Sequence, residues 1–82
     1  MDTNQLIRNK VIELAKALGR DARNLTETDI LPRTGLLDSA SILELIIWAE
    51  TEFDLEFDQS DLSLENFGSI EKMSVYIQSH RV

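Results

Sequence analysis

The sequence predicts an all-α fold: a small four-helix bundle with three longer helices, one short helix and a long loop between the first two. Apolar residues recur at helical spacing in three separate segments. Residues typical of helix ends, including Asp2, Gly19 and Ser69, border these segments. The 82 residues, 43% of them hydrophobic, suffice for one core. We therefore expect residues 1–82 to form a single domain.

The first helix is predicted from Thr3 to Leu18. Its apolar stripe consists of Ile7, Val11, Leu14 and Leu18. Asp2 and Gln5 have the spacing of a capping box, and Gly19 supplies a stop at the other end.

A long ordered loop is predicted from Arg20 to Asp38, because this segment has no steady periodicity and contains Pro32 and Gly35. Loops of this length are uncommon in small domains and often functional. The apolar residues expected to pin it to the core are Leu25, Ile30, Leu31, Leu36 and Leu37.

The second helix is predicted from Ser39 to Phe53, with Asp38 capping its free N–H groups. Its core stripe consists of Ile42, Leu45, Ile46, Ala49 and Phe53. An extended link, with Leu55 and Phe57 turned inward, then leads to a short helical turn at Asp58–Leu62. Ser69 caps the last helix, whose buried side carries Ile70, Met73, Tyr76 and Ile77.

Composition excludes several classes of function. The formal charge of −7 disfavours nucleic acid, whose phosphates would be repelled. With no Cys and one His, there is no disulfide framework and no thiolate or His-based metal site. The longest run without a formal charge is eight residues, too short to span a membrane, and the start has no apolar signal-peptide region. We expect a cytoplasmic monomer that does not insert into membranes.

The acidity is concentrated in the middle of the chain. From Thr34 to Glu71 there are ten acids and no Lys or Arg, whereas residues 1–33 are nearly neutral. One interpretation is a solvated face that maintains solubility. The other is an electrostatic docking surface for basic enzymes.

The second helix has more apolar surface than its core stripe requires. Ala40, Leu43 and Ile47 form a second strip on the helical wheel, flanked by Glu44 and Glu50. This strip is either an interface or packed beneath the long loop. Trp48 lies on another side, where we expect it to cover a helix–loop junction.

Ser39 is the candidate chemical site. A Ser in the first turn of a helix exposes its hydroxyl beside free N–H groups and positive partial charge, a setting that suits a phosphate ester. For an isolated Asp-Ser pair, a plain helix cap is the simpler explanation.

The wider context favours the ester. The stretch GLLDSASILELIIWAETEFDLEF resembles the phosphopantetheine-attachment region of acyl carrier proteins, which has an Asp-Ser-Leu-type motif opening the second helix and a Glu-x-Glu-Phe-like ending. Glu50-Thr51-Glu52-Phe53 matches that ending. The similarity extends along nearly the whole chain, to a last helix in EKMSVYIQSH.

The resemblance implies that residues 1–82 form a carrier domain and do no bond chemistry themselves. A phosphopantetheinyl transferase would attach 4′-phosphopantetheine from coenzyme A to Ser39, after the motif residue Asp38. A loading ligase and downstream transferases or synthases with basic surfaces would then use the thioester on the arm. The positions that align with partner contacts in the family are Leu37, Ala40, Leu43, Glu44, Ile47 and Glu50.

Two positions depart from fatty-acid carriers. Ala40 replaces the usual Leu, Ser41 replaces the usual Asp, and the run Gly35–Ser39 is more similar to D-alanyl and related aminoacyl carriers. A specialised acyl or aminoacyl cargo is therefore favoured over a housekeeping role in fatty acid synthesis.

Three other functions are possible from the residues. An enzyme would use Ser39 as nucleophile and His80 as base, but the sequence has no Gly-x-Ser-x-Gly elbow. A calcium sensor would need acids at EF-hand spacing, and that spacing is absent from the candidate acids, which are Glu52, Asp54, Glu56, Asp58 and Asp61. An interaction module of the same fold would leave Ser39 unmodified.

Overall fold

In the part of the chain that the structure describes, the α-helical structure consists of three long helices and two single-turn helices. The computed structural model describes residues 2–58, 60, 62 and 64–80. The helices are α1 (Thr3–Ala17), α2 (Leu31–Thr34), α3 (Ser39–Glu52), α4 (Leu64–Phe67) and α5 (Ile70–His80). Helix α1 packs against both α3 and α5, and α4 packs against α5. The all-α prediction is confirmed.

Helix α1 begins and ends at the predicted signals. The Asp2 carboxylate accepts a hydrogen bond from the Gln5 N–H at 3.0 Å. The Gln5 side chain donates to Asn9 rather than back to Asp2, so only half of the capping box forms. At the other end Gly19 has φ 75°, and the Arg20 N–H reaches the Ala15 carbonyl at 2.8 Å. This Schellman closure needs a left-handed residue, which explains the glycine.

The segment predicted as one long loop contains a helical turn, α2. Pro32 lies in its first turn, where a missing N–H is harmless, and Gly35 ends it at φ 73°. The Leu31 side chain is fully buried, and its N–H donates to the Gly68 carbonyl at 2.7 Å. The prediction of a loop without helix was therefore wrong at Leu31–Thr34, because four residues are too few to show periodicity.

The core lies between the three long helices. Its fully buried members include Ile7, Val11, Leu45, Ala49, Ile70, Met73 and Ile77. Of the predicted stripes, all four residues of α5 are buried, whereas Ile42, Ile46 and Phe53 of the α3 stripe are only partly buried. Leu18 is 38% exposed because it lies at the C-cap of α1, where the chain turns away.

The connection from α3 to α5 returns apolar side chains to the core as predicted. Phe57 is buried, and its ring contacts those of Phe67 and Tyr76 at centroid distances of 5.0 and 5.4 Å. The short turn predicted at Asp58–Leu62 includes residues 59 and 61, which lie outside the described residues. The described single turn before α5 is α4.

Helix α5 begins at the predicted cap, since the Ser69 hydroxyl accepts from the Lys72 N–H at 3.2 Å. In the described part of the chain, no helix has the length and apolar character needed to cross a membrane.

Candidate functional site

Ser39 is the first residue of α3, and its side chain is exposed. The preceding residue, Asp38, has extended backbone angles (φ −90°, ψ 177°), and its carboxylate accepts the Ser41 N–H at 2.8 Å. The predicted cap is thus confirmed. Because Asp38 uses its carboxylate to hold the helix start, the Ser39 hydroxyl stays directed to solvent rather than serving as the cap itself.

The local electrostatics favour an anion on Ser39. The first N–H groups of a helix have no intrahelical acceptor, and the aligned peptide dipoles place positive partial charge at this end. Hydrogen bonds from Ser41, first from its backbone N–H and then from its side chain, lower the pKa of the Asp38 carboxyl. Partial loss of hydration raises the pKa of the carboxyl, and the positive charge of Arg20 lowers it.

Arg20 is a residue that the sequence analysis did not connect with the site. It follows the end of α1, eighteen positions before Asp38, and no motif links the two. Only the packing of α1 against α3 brings its charge within range of the Asp38 carboxylate.

The predicted second strip of α3 is open to solvent. Leu43 is 54% exposed and Ile47 is 53% exposed, and Ala40 and Glu44 are exposed beside them. The alternative that Leu43 and Ile47 pack beneath the long loop is wrong, because the loop is anchored instead through Leu31 to Gly68. An apolar strip on the same helix as Ser39, with an acid at its edge, is therefore accessible to a partner.

Two positions that align with partner contacts, Leu37 and Glu50, are less accessible than the strip. Leu37 is only 4% exposed and belongs to the core, because the chain entering α3 turns its side chain inward. Glu50 is half-buried, and its carboxylate accepts the Phe57 N–H at 2.9 Å. Its carboxylate is committed to the α3–α4 connection, so Glu50 acts in the fold rather than as a free acid at the strip's edge.

Trp48 lies at the boundary between α1 and the end of α3. Its ring contacts Phe53 edge-on at 5.8 Å, and the Lys10 ammonium lies 6.0 Å from the ring centroid. Phe53 is the C-cap of α3, so the ring covers the predicted end of the helix, with a neighbouring helix contributing the cation.

Comparison with known proteins agrees with this geometry. Residues 11–77 match the family model described as the phosphopantetheine attachment site. Aminoacyl carrier protein 1 of Bradyrhizobium diazoefficiens is 32% identical over 74 residues, covering 85% of this chain and 80% of that protein. Aminoacyl carrier protein 2 of the same organism is 30% identical over 71 residues, covering 82% and 78%.

The fold has a counterpart among solved structures. The solution NMR structure of a holo acyl carrier protein from Nitrosomonas europaea matches with a TM-score of 0.74. The match covers 96% of this chain and 95% of that one at 22% identity, so it supports the fold. Because the family model spans most of the chain and two relatives agree with it, the chain belongs to the acyl carrier protein family, whose members are not enzymes but carriers of a covalently attached 4′-phosphopantetheine.

Proposed function

We propose that Ser39 carries the 4′-phosphopantetheine arm and that the protein delivers an aminoacyl or other specialised acyl group to partner enzymes. The observation that carries this proposal is the exposed Ser39 hydroxyl at the first position of α3, beside the open Leu43/Ile47 strip. A transferase needs both features, a nucleophile that it can reach and a surface that it can recognise.

The residues around Ser39 fit a phosphodiester. Its Oγ forms the new bond to phosphorus, the bond to the nucleotide half of coenzyme A breaks, and the hydroxyl proton goes to a base of the transferase. The helix end stabilises the resulting negative charge. The Asp38 carboxylate accepts the Ser41 N–H and so fixes the start of the helix on which the reacting Ser39 hydroxyl lies.

When bound, the arm supplies a thiol that holds the cargo as a thioester. The protein's part is to present that cargo to one enzyme after another at high effective concentration. Leu43 and Ile47 provide the apolar contact, and Glu44 adds attraction to a basic surface. Residues 34–71 contain many acids and no Lys or Arg, so this whole segment adds to the attraction to a basic surface.

An aminoacyl cargo is supported by two observations. The two Bradyrhizobium diazoefficiens relatives are named aminoacyl carrier proteins. Ala40 is exposed immediately after Ser39, so a partner that grips a Leu there would lose apolar contact with this chain. Ser41 is less informative because its side chain is only 7% exposed and its N–H belongs to the helix cap.

A housekeeping fatty-acid carrier is the second candidate, because the phosphopantetheine attachment-site family that the chain matches does not specify the cargo. The two candidates differ in loading. We expect amino acid ligases to load the holo protein better than malonyl transferases do, and Ala40→Leu to improve malonyl loading. Malonyl loading of the unmutated protein at the rate of a fatty-acid carrier would overturn the aminoacyl assignment.

The attachment site is tested separately with a phosphopantetheinyl transferase and coenzyme A. Wild type and Ser41→Ala should each gain one arm by intact mass, and Ser39→Ala should gain none. Because Ser39 is exposed, its replacement should leave the helix content unchanged. A modified Ser39→Ala would show that the arm is attached elsewhere, and an unmodified wild type would favour the interaction module.

A further inference from the structure

A groove of about 460 Å³ lies at the C-terminal end of α1. Its lining includes Ile12 and Lys16 of α1 and Arg20 to Arg23 of the following segment. The volume is within the usual range for small-molecule sites. In a chain of net charge −7, this groove is lined by three cationic side chains and a single acidic one.

Two of the three cations remain available to a ligand. The Arg23 guanidinium makes two contacts with the Asp21 carboxylate, at 2.9 and 3.0 Å. This pairing lowers the pKa of Asp21 to about 2, and the opposite charges of the two side chains offset each other. Within the described residues, Lys16 and Arg20 are in no ion pair. The groove therefore has a net positive charge at the Arg20 side.

The groove is at the same end of the molecule as Ser39. Lys10 of α1 lies over Trp48 of α3. Arg20 is ten residues after Lys10 and Asp38 is ten residues before Trp48, and the charge of Arg20 reaches the Asp38 carboxyl. Moving forward along the chain from Lys10 to Arg20 therefore corresponds to moving backward from Trp48 to Asp38, so α1 and α3 run antiparallel. The end of α1 is therefore beside the start of α3.

Beyond the helix end, only a cation from outside its own segment can add to the stabilisation of a phosphodiester on Ser39. It adds a negative charge next to Asp38, and residues 34–71 contain no Lys or Arg. Arginine suits this task because its planar guanidinium can donate two parallel hydrogen bonds to phosphate oxygens. Arg20 is exposed and lines a groove large enough to receive the chain beyond the phosphate.

We propose that this groove is the resting site of the arm, with Arg20 pairing with the phosphodiester on Ser39 and the pantetheine chain lying along the groove past Lys16 toward Ile12. The proposal rests on the proposed attachment at Ser39. Arg20 is a positioning residue, because it holds the arm and takes no part in forming the thioester.

Nuclear magnetic resonance of the apo and holo forms tests the groove without any partner enzyme. On conversion to the holo form, the amide signals of Gly19, Arg20 and Ala22 should shift, and the Arg20 side-chain Nε–H signal should shift with them. These shifts should be lost in Arg20→Gln and in high salt, and retained in Arg20→Lys. Lys72→Gln, which removes a cation from α5 outside the groove, should behave as wild type.

The same samples separate the two proposals. Intact mass first establishes that each protein carries an arm on Ser39. If the arm is present but the shifts are confined to residues 38–41, or are unchanged in Arg20→Gln, the groove proposal is wrong and the attachment site stands. If the wild type takes no arm at Ser39, both proposals are overturned.

Discussion

Replacing Glu50 by Ala should destabilise the protein, although Glu50 is an acid on the same helix as the docking strip. The Glu50 carboxylate accepts the Phe57 N–H at 2.9 Å, and Phe57 is only 8% exposed in its cluster with Phe67 and Tyr76. Removing a charged acceptor leaves a part-buried N–H without a partner, which costs roughly 1–3 kcal/mol. Because Glu50 is half-buried, we expect about 1–2 kcal/mol of lost unfolding free energy.

Urea unfolding followed by circular dichroism measures this loss, which corresponds to roughly 4–8 °C in Tm for each kcal/mol in a domain of this size. Glu44→Ala is the matched control, because Glu44 is exposed on the same helix and its removal should change stability by less than about 0.5 kcal/mol. Glu50→Gln keeps an acceptor oxygen and should lose less than Glu50→Ala. Equal stabilities for Glu50→Ala and Glu44→Ala would refute the structural role of Glu50.

Three further predictions concern α3. Leu45→Ala, at a fully buried position, should lower the free energy of unfolding by about 2–5 kcal/mol. Leu43→Ala, at an exposed position, should lower it by under about 0.5 kcal/mol in the same urea assay and yet slow modification by the transferase. Equal losses of stability would contradict the assignment of Leu45 to the buried face and Leu43 to the exposed face. Glu44→Lys should reduce both the rate of association with a basic partner, measured by stopped flow, and the salt dependence of that rate, with helicity unchanged. An unchanged association rate would indicate that the acidic residues serve only solubility. The pKa of Asp38 is lowered in the folded state, so its ionised cap stabilises the fold fully above the unfolded-state pKa of about 4. This contribution is lost as the pH falls through the folded-state pKa, so the stability advantage over Asp38→Asn should shrink at acid pH. A constant stability difference between pH 7 and 3 would argue against this role of the cap.

The long helices were predictable because each combines a periodic stripe with a local end signal. Asp2, Asp38 and Ser69 all cap the helices they precede, and a cap needs only neighbours two or three residues away. The wheel separated Leu43 and Ile47 from the core stripe but left open whether the long loop covers them, and the structure shows both exposed.

The features that escaped prediction depend on distant contacts. Helix α2 is anchored by the hydrogen bond from Leu31 to Gly68, thirty-seven positions away. Glu50 turns inward because the chain returns past it at Phe57, and the wheel shows only its angle on the helix. Arg20 approaches Asp38 through the antiparallel packing of α1 and α3. Such pairings depend on tertiary structure and leave no trace in local spacing.

The most direct test of the central claim is fragmentation mass spectrometry of the protein recovered from cells that express an active phosphopantetheinyl transferase. We predict one 4′-phosphopantetheine per chain, localised to Ser39 and carrying an acyl or aminoacyl thioester in part of the population. A chain that remains unmodified in those cells, or an arm localised to any other residue, would contradict it.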